Sequence, residues 1–439
     1  MIIGNGPVIT QNPQQPFLEH GAVRIDADTI IDVGPDQQMR AAHPEEEYVD
    51  VAGRVIMPGL INAHNHAYSH YARGMAPSEQ GRDFVDVLEK MWWKLDRLLT
   101  LDDVEINTMT TFIEGIRNGV TTQFDHHSSP HAVTGSLHTQ ADVCRRLGVR
   151  ASLCYETSDR DGADIFAASV AENVDFMRAV NGPDQDLIKG LFGLHAAFTL
   201  SQQSLETCAA AATDVPGGFH VHTAEGPGDE PHSHRQHGRS IVERFHDTGI
   251  LGPTSLAVHC VHIDDHEWEI LQATDTPAVH NPMSNMGNAI GAAPITHALN
   301  RGALIGLGTD AYTQDMLISA SVAKILQSHH LGDPTVGFGE ALTVLTNNAH
   351  IAARHFRRPL GILTAGAYAD IITVDYQPHT PMNSTNTGGH LLFGMTGRQV
   401  TDTMVAGRWI MRDRIIQTVD EAAWCARSRE NAPRIWARM

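Results

Sequence analysis

The sequence predicts an α/β protein: a TIM-like (β/α)8 barrel joined to a small β-sandwich formed from both ends of the chain. Three observations predict it. Short apolar runs recur between about residue 55 and residue 310, and each is closed by an ionisable or metal-binding residue. Longer helical stretches separate these runs, the alternation that marks βα units and a parallel sheet. On either side of this region the apolar residues alternate with polar ones, as in half-exposed strands.

Taken in order, residues 1–57 read as short strands and turns: PVIT, GAVRID, TIIDVG and YVDVAGRVIMPG. The barrel runs follow. Val55–Ala63 ends at His64 and His66, Thr121–Phe124 at Asp125-His126-His127, Arg150–Tyr155 at Glu156, and Gly190–Leu194 at His195. Gly218–Val221 ends at His222, Ser255–Val258 at His259, Pro277–Val279 at His280-Asn281, and Ala303–Gly308 at Asp310. Helices are expected over Leu101–Asn118, Ser136–Leu147, Ile165–Val180, Ser201–Ala212, Ser240–Thr248 and Met316–His330. In a (β/α)8 barrel the chemistry sits at the C-terminal ends of the strands. An open doubly wound sheet would not require a polar residue at every strand end.

After a helix at Thr343–His355 the strand pattern returns in LGILTAGAYADIITVDY and VTDTMVAGRWIMRDRII, and an amphipathic helix runs from Glu421 to about Arg438. The expected units are 1–57 and 357–418 as the two parts of the β-sandwich, 58–356 as the metal-dependent barrel, and 419–439 as a C-terminal helix.

Composition narrows the function. The 439 residues carry a formal net charge of −20. An acidic surface argues against nucleic acid and anionic lipid as partners. No apolar run reaches the roughly 18 residues of a membrane span, and MIIGNGPVIT lacks the basic region and apolar core of a signal peptide. The five cysteines are scattered with no CxxC, which fits a reducing, cytoplasmic setting without disulfides. The 27 histidines exceed what any single site needs.

The chemistry starts at His64 and His66. Side chains two apart on an extended segment point the same way, so the two imidazoles can share one cation. His222 stands in FHVHTAEG, and Glu225, three residues on, is placed to sit beside an ion without ligating it. A carboxylate there can shuttle protons between water and substrate; the plainer role is a charge at a helix N-terminus. Asp310 ends LIGLGTDA and is read as a ligand rather than a helix cap. Three imidazole nitrogens and one carboxylate oxygen suit Zn2+ or Fe2+ with an open position for water. His259 is a further ligand or a hydrogen-bond donor to the attacking water or the substrate, and His262 is structural. Tyr68, Ser69 and Arg73 follow the first metal motif and are placed along the pocket. His127 of the Asp125-His126-His127 run is taken to touch substrate, and Glu156 and Arg160 to read its polar atoms. Trp92 and Trp93 fit a core or a stacking platform equally. HSHRQH, His232 to His237, reads as a solvated loop near the site mouth.

The motifs PGLINAHNH, HVHTAEG, LAVHCVH, HNPMSN, GLGTDA and LGILTAGAYADIITVD, in this order, span nearly the whole chain. With them the chain resembles the amidohydrolase superfamily, in its cytosine-deaminase-like and triazine-hydrolase-like branch. HNHAYSHYARG, WWKLDR, DHHSSP and CYETSDRDG resemble the SsnA-like aminohydrolases within it. The resemblance implies that His64, His66, His222 and Asp310 bind one divalent metal ion, Zn2+ or Fe2+. It makes Glu225 the proton shuttle, lets His259 orient the attacking hydroxide, and turns His195 toward the substrate. His280, Asn281 and Ser284 shape a supporting loop. Two-metal members carry a bridging lysine at the end of strand four. Here that run ends at His195, and Lys189 lies at its start, which favours one ion.

The implied activity is hydrolytic deamination of a small nitrogen heterocycle of purine, pyrimidine, pterin or triazine type, with release of ammonia. Ring opening of a cyclic amide, and displacement of chloride or an alkylamine, are the alternatives. A non-enzymatic metal-binding protein would have no use for the proton-transfer residues. The expected partners are the heterocycle and water, with a homo-oligomer, dimer or higher, implied by the family.

Overall fold

The computed structural model describes residues 1–439 apart from Pro77, Ser78, Gln80 and Asp184. Five strands come first: β1 (Ile2–Ile9), β2 (Phe17–Asp26), β3 (Thr29–Pro35), β4 (Tyr48–Asp50) and β5 (Val55–Pro58). The central region supplies β6 (Leu60–Asn65), β7 (Val120–His127), β8 (Arg150–Tyr155), β9 (Ile188–Gly190) and β10 (Phe192–Ala196). It continues through β11 (Phe219–Thr223), β12 (Leu256–His259), β13 (Ala278–His280) and β14 (Ile305–Leu307). The last strands are β15 (Ile371–Val374), β16 (Val400–Val405), β17 (Arg408–Arg412) and β18 (Ile415–Ile416).

The central strands form two parallel sheets, β6-β7-β8-β9 and β10-β11-β12-β13-β14, with helices between successive strands. Isolated parallel bridges link the sheets at both ends, Asn65 to Asp310 and Thr157 to Leu194. Strands from the two ends of the sequence pair in one nine-stranded sheet, in the order β18-β17-β16-β15-β5-β1-β2-β3 with β4 beside β1.

The run expected as one strand from Val55 is two. Pro58 has no N–H to give to a ladder, and the Gly59 N–H turns to Asp370 O at 2.9 Å. A Cβ on Gly59 would lie 2.2 Å from Thr121 Oγ1, so only glycine fits where the chain passes from one sheet to the other. The run Gly190–Leu194 also divides. The Leu191 N–H still bonds back to Leu153 O, whereas that of Phe192 bonds forward to Gly218 O. The HSHRQH segment is helical, within Asp229–His237, rather than a loop. Asp229 and Glu230 complement the N-terminal dipole, and Gly238 at φ 67° closes the C-terminus in the left-handed region.

Period-two burial separates the strand faces. Ile61 and Ala63, Phe124, Cys154, Leu256 and Val258, and Val279 form one cluster. Their neighbours Leu153, Val221, Ala257, Ala278 and Ile305 pack instead with helix residues such as Phe112, Phe176, Phe245 and Trp268. The C-terminal helix, Glu421–Trp436, buries Ala432 and Ile435 against Tyr68 and Tyr71, and Trp436 Nε1 donates to Tyr71 O at 2.7 Å. No helix among the described residues is long and apolar enough to cross a membrane.

One side chain ties the first central strand to the last. Asn348, 1% exposed on the helix Phe338–Ala352, donates to Ile61 O (2.7 Å) and Leu307 O (2.8 Å) and accepts from Leu307 N (2.8 Å). Asn348→Ala strands these buried backbone groups. It is expected to cost about 2–4 kcal/mol, since each unpaired buried group costs roughly 1–3 kcal/mol. Urea unfolding checks this, and a loss below about 0.5 kcal/mol, the usual range for surface substitutions, would refute the clasp.

Candidate active site

The ends of β6 and β14 are locked together. Thr309 N and Asp310 N both donate to His64 O, at 2.9 and 3.0 Å. Asp310 sits at φ 54° and His259 at φ 72°, the left-handed region that costs a non-glycine residue about 1–3 kcal/mol. Their surroundings hold these conformations. Asp310 Oδ2 accepts from Ser284 Oγ at 2.6 Å, and its Oδ1 accepts from the Ala311 N–H at 2.6 Å.

The side chains from six strand ends converge. His66 Nδ1 lies 2.6 Å from the His126 carbonyl, which can only accept, so Nδ1 carries the proton and Nε2 is a bare lone pair. That Nε2 is 3.2 Å from His222 Nε2 and 3.5 Å from Asp310 Oδ1. His64 Nδ1 meets His220 Nε2 at 2.9 Å, and His64 Nε2 is buried with no protein partner. His259 Nδ1 faces Asn285 Oδ1 at 2.9 Å, and its Nε2 lies 3.6 Å from both Glu225 Oε2 and Asp310 Oδ2. Groups that could share an ion overlap here: His64, His66 and Asp310; His64, His222 and His259; His66, His126, Glu156 and His222.

The donor set fits a divalent cation. Imidazole nitrogens with one carboxylate suit zinc or ferrous iron. His64 Nε2 is buried without a hydrogen-bond partner, and His222 Nε2 lies 3.2 Å from His66 Nε2, a pair of ring nitrogens that can share a proton or flank an ion. Burial and the neighbouring imidazoles hold His64 and His222 well below the ordinary histidine range, so both are neutral and able to ligate. Burial, with Asp310 nearby, pushes the Glu225 carboxyl well above its ordinary value. Glu225 can therefore hold a proton that an exposed glutamate would lose.

The remaining expected site residues divide. His195 lies in the wall of the inner chamber, its Nδ1 2.8 Å from Thr199 Oγ1 and its ring 5.6 Å from that of His222. Tyr68 and Glu156 line the same chamber. Burial would raise the Glu156 carboxyl, but His126 Nδ1 at 3.0 Å and the other imidazoles hold it below the usual range. Ser69 donates to His66 O at 2.7 Å and lines an outer chamber. His127 turns away, to Ser129 Oγ at 2.9 Å, between the rings of Tyr68 and Tyr155. Arg160 lies one layer back, held by Asp96 and by Ser128 Oγ at 2.9 Å, with its guanidinium over the Trp93 ring.

His126 is the residue that belongs to the cluster and was not singled out; its period-two partner Phe124, on the inner face, is the signal that finds it. Asn285, Asn288 and Tyr312 were likewise unmarked. His262 is bound to Ile290 O.

The inner chamber, ≈ 40 Å³, has room for water-sized occupants. The outer chamber, ≈ 470 Å³, shares His66, Trp92, Asn288, Asp310 and Tyr312 with it and can admit a heterocycle.

The amidohydrolase family profile matches residues 55–410. The 5'-deoxyadenosine deaminase of Methanosarcina acetivorans is 30% identical over 445 residues, covering 100% of this chain and 99% of that one. The 5-methylthioadenosine/S-adenosylhomocysteine deaminase of Nitratidesulfovibrio vulgaris is 28% identical over 429 residues, covering 96% and 94%. Among solved structures, an adenosine deaminase from Xanthomonas campestris with bound zinc superposes with a TM-score of 0.86 at 25% identity, covering 99% of this chain and 98% of that one.

Proposed function

This chain belongs to the amidohydrolase family, and from that membership we propose that it deaminates the amino-purine ring of an adenine nucleoside, exchanging the amino group for oxygen and releasing ammonia. The supporting relatives all carry names of deaminases acting on adenosine derivatives. The observation that carries the reading is the convergence of four histidines, Asp310 and Glu225 on one point beside a chamber large enough for a heterocycle.

In this reading His64, His66, His222 and Asp310 hold one ion, zinc or ferrous iron. When bound, such an ion lowers the pKa of water toward neutrality and polarises the group under attack. The chain's own groups do the rest. Glu225 takes one proton from the attacking water and gives it to the ring nitrogen beside the amino-bearing carbon; it then takes the hydroxyl proton of the resulting adduct and gives it to the departing amine, which leaves as ammonia as the oxo group forms. His259, fixed by Asn285, presents Nε2 between the carboxyls of Glu225 and Asp310 and orients the nucleophile. Tyr68, Glu156 and His195, which wall the inner chamber, face the edge of the ring that reaches in from the outer chamber. A single ion is supported by Lys189, whose Nζ is bound to Gln185 O at the start of its strand, far from the site end.

The two parallel sheets are read as halves of one (β/α)8 barrel spanning 58–356. The bridges at both seams, the Asn348 clasp and the inner cluster support closure. Residues 1–57 and 357–418 make the companion β-sandwich, followed by the helix of 419–439.

The test is mass spectrometry of products from aminated purines, pyrimidines, pterins and triazines and their cyclic-amide counterparts, with enzyme loaded with zinc or ferrous iron. Exchange of an amino group for oxygen, with equimolar ammonia and a preference for adenine nucleosides, is expected. Gain of a whole water without ammonia would replace deamination by ring opening.

A further inference from the structure

Asp310 is joined to the chamber walls by a chain of side chains. Its Oδ2 accepts from Ser284 Oγ at 2.6 Å. Ser284 Oγ in turn accepts from Asn288 Nδ2 at 3.3 Å, and Asn288 Oδ1 accepts from the Tyr312 hydroxyl at 3.2 Å. Ser284 lies in the short helix Pro282–Gly287, and Asn288 follows its last residue. Ser284 is 1% exposed and Tyr312 38%. Asn288 and Tyr312 line both chambers. The chain therefore leads from a buried carboxylate to the space a substrate enters.

The direction of every link is forced from the inner end. A carboxylate that ligates an ion only accepts, so the single Ser284 proton is committed to Asp310. Ser284 Oγ must then accept, which turns the Asn288 amide nitrogen toward it and the amide oxygen toward Tyr312. That oxygen only accepts, so the Tyr312 proton points at it. A glycine seats the phenol: a Cβ on Gly287 would lie 2.2 Å from the Tyr312 hydroxyl oxygen.

The two oxygens of Asp310 face different groups. Oδ1 lies 3.5 Å from His66 Nε2, and Oδ2 lies 3.6 Å from His259 Nε2. The last torsion of an aspartate is broad, so partners must hold this orientation. Rotating the carboxylate would take both oxygens off these groups.

We propose that Tyr312, Asn288 and Ser284 are positioning residues, a one-way hydrogen-bond chain that holds the Asp310 carboxylate with Oδ1 toward the ion and Oδ2 toward the nucleophile oriented by His259. The assignment rests on Asp310 as a metal ligand and not on the identity of the heterocycle. The links differ in strength. The inner one is short and charge-assisted, about twice as strong as a neutral bond. The outer two are neutral and near the long end of the hydrogen-bond range.

The experiment uses the full-length enzyme. Competition with a chromogenic chelator gives the zinc Kd, and ammonia release from adenosine at saturating zinc gives kcat and KM. S284A is expected to weaken zinc binding and lower kcat by about 10–100-fold each, the scale of an outer-shell partner, with KM within about threefold of wild type. N288A and Y312F should each cost about 2–10-fold in the same two quantities, the worth of one ordinary hydrogen bond. G287A, which displaces the phenol and removes no polar group, should match Y312F. In the S284A background N288A and Y312F should add nothing, because the link to Asp310 is already cut. A merely structural loss would multiply instead.

A zinc Kd and kcat for S284A both within about threefold of wild type overturn the chain. So do costs of S284A and N288A that multiply in the double variant. D310N tests the premise separately: an unchanged zinc Kd removes Asp310 as a ligand and the chain with it. A weakened one in D310N beside an unchanged S284A leaves the ligand and removes the chain. Absence of ammonia from adenosine would count against the deaminase reading alone, since the zinc measurements still decide the chain.

Discussion

Glu225→Gln is expected to lower kcat by about 10²–10⁴, the range general acid–base catalysis contributes, while leaving the bound metal in place. The side chain is close to isosteric but can no longer accept and return a proton. Its carboxyl lies 3.6 Å from His259 Nε2, the imidazole assigned to the nucleophile rather than to the ion. Ammonia release and metal content per chain by plasma mass spectrometry separate two failures. A kcat within tenfold of wild type removes Glu225 from proton transfer. Loss of metal makes it a ligand instead, as the grouping of Glu225 with His259 and Asp310 would permit.

His66→Ala is expected to act on the metal itself. His66 Nε2 stands within 3.5 Å of both His222 and Asp310, and its Nδ1–H is anchored on the His126 carbonyl. Outer-shell partners alone cost about 10–100-fold in metal affinity, so loss of a direct ligand should cost at least about 100-fold. At zinc concentrations that saturate wild type, the melting temperature should fall as well, because binding at 100 times Kd contributes about 2.7 kcal/mol to the folded state. Zinc competition with a chromogenic chelator measures the first effect and calorimetry the second. A Kd within threefold of wild type would place the ion elsewhere.

The meeting of His64, His66, His222, His259, Glu225 and Asp310 was legible because the histidines and Asp310 close apolar runs, Glu225 follows His222 by three residues, and strand ends on one side of parallel sheets must lie near one another. What escaped the sequence was local. The Asp125-His126-His127 run offers two imidazoles of opposite facing, and only the parity with Phe124 selects His126. Apolar residues on both sides of Pro58-Gly59 hid a change of sheet, which depends on how closely Thr121 approaches. HSHRQH looks polar enough for a loop, yet its end residues satisfy a helix. Asn348 carried no signal at all: an asparagine in a helix gives no hint that its amide closes a seam between distant strands.

The nine-stranded sheet has a consequence for the growing chain. β5 pairs with β15 through Val55 opposite Val374 and Pro58 opposite Ile371, so its neighbour comes from the far part of the sequence. At 5–20 residues per second, the intervening stretch takes roughly 15–60 s to synthesise. Throughout that time the nascent β5, all apolar but for its backbone, offers an open edge to other chains. Holding factors that shield this edge should therefore set the yield of native enzyme more strongly than the final stability does.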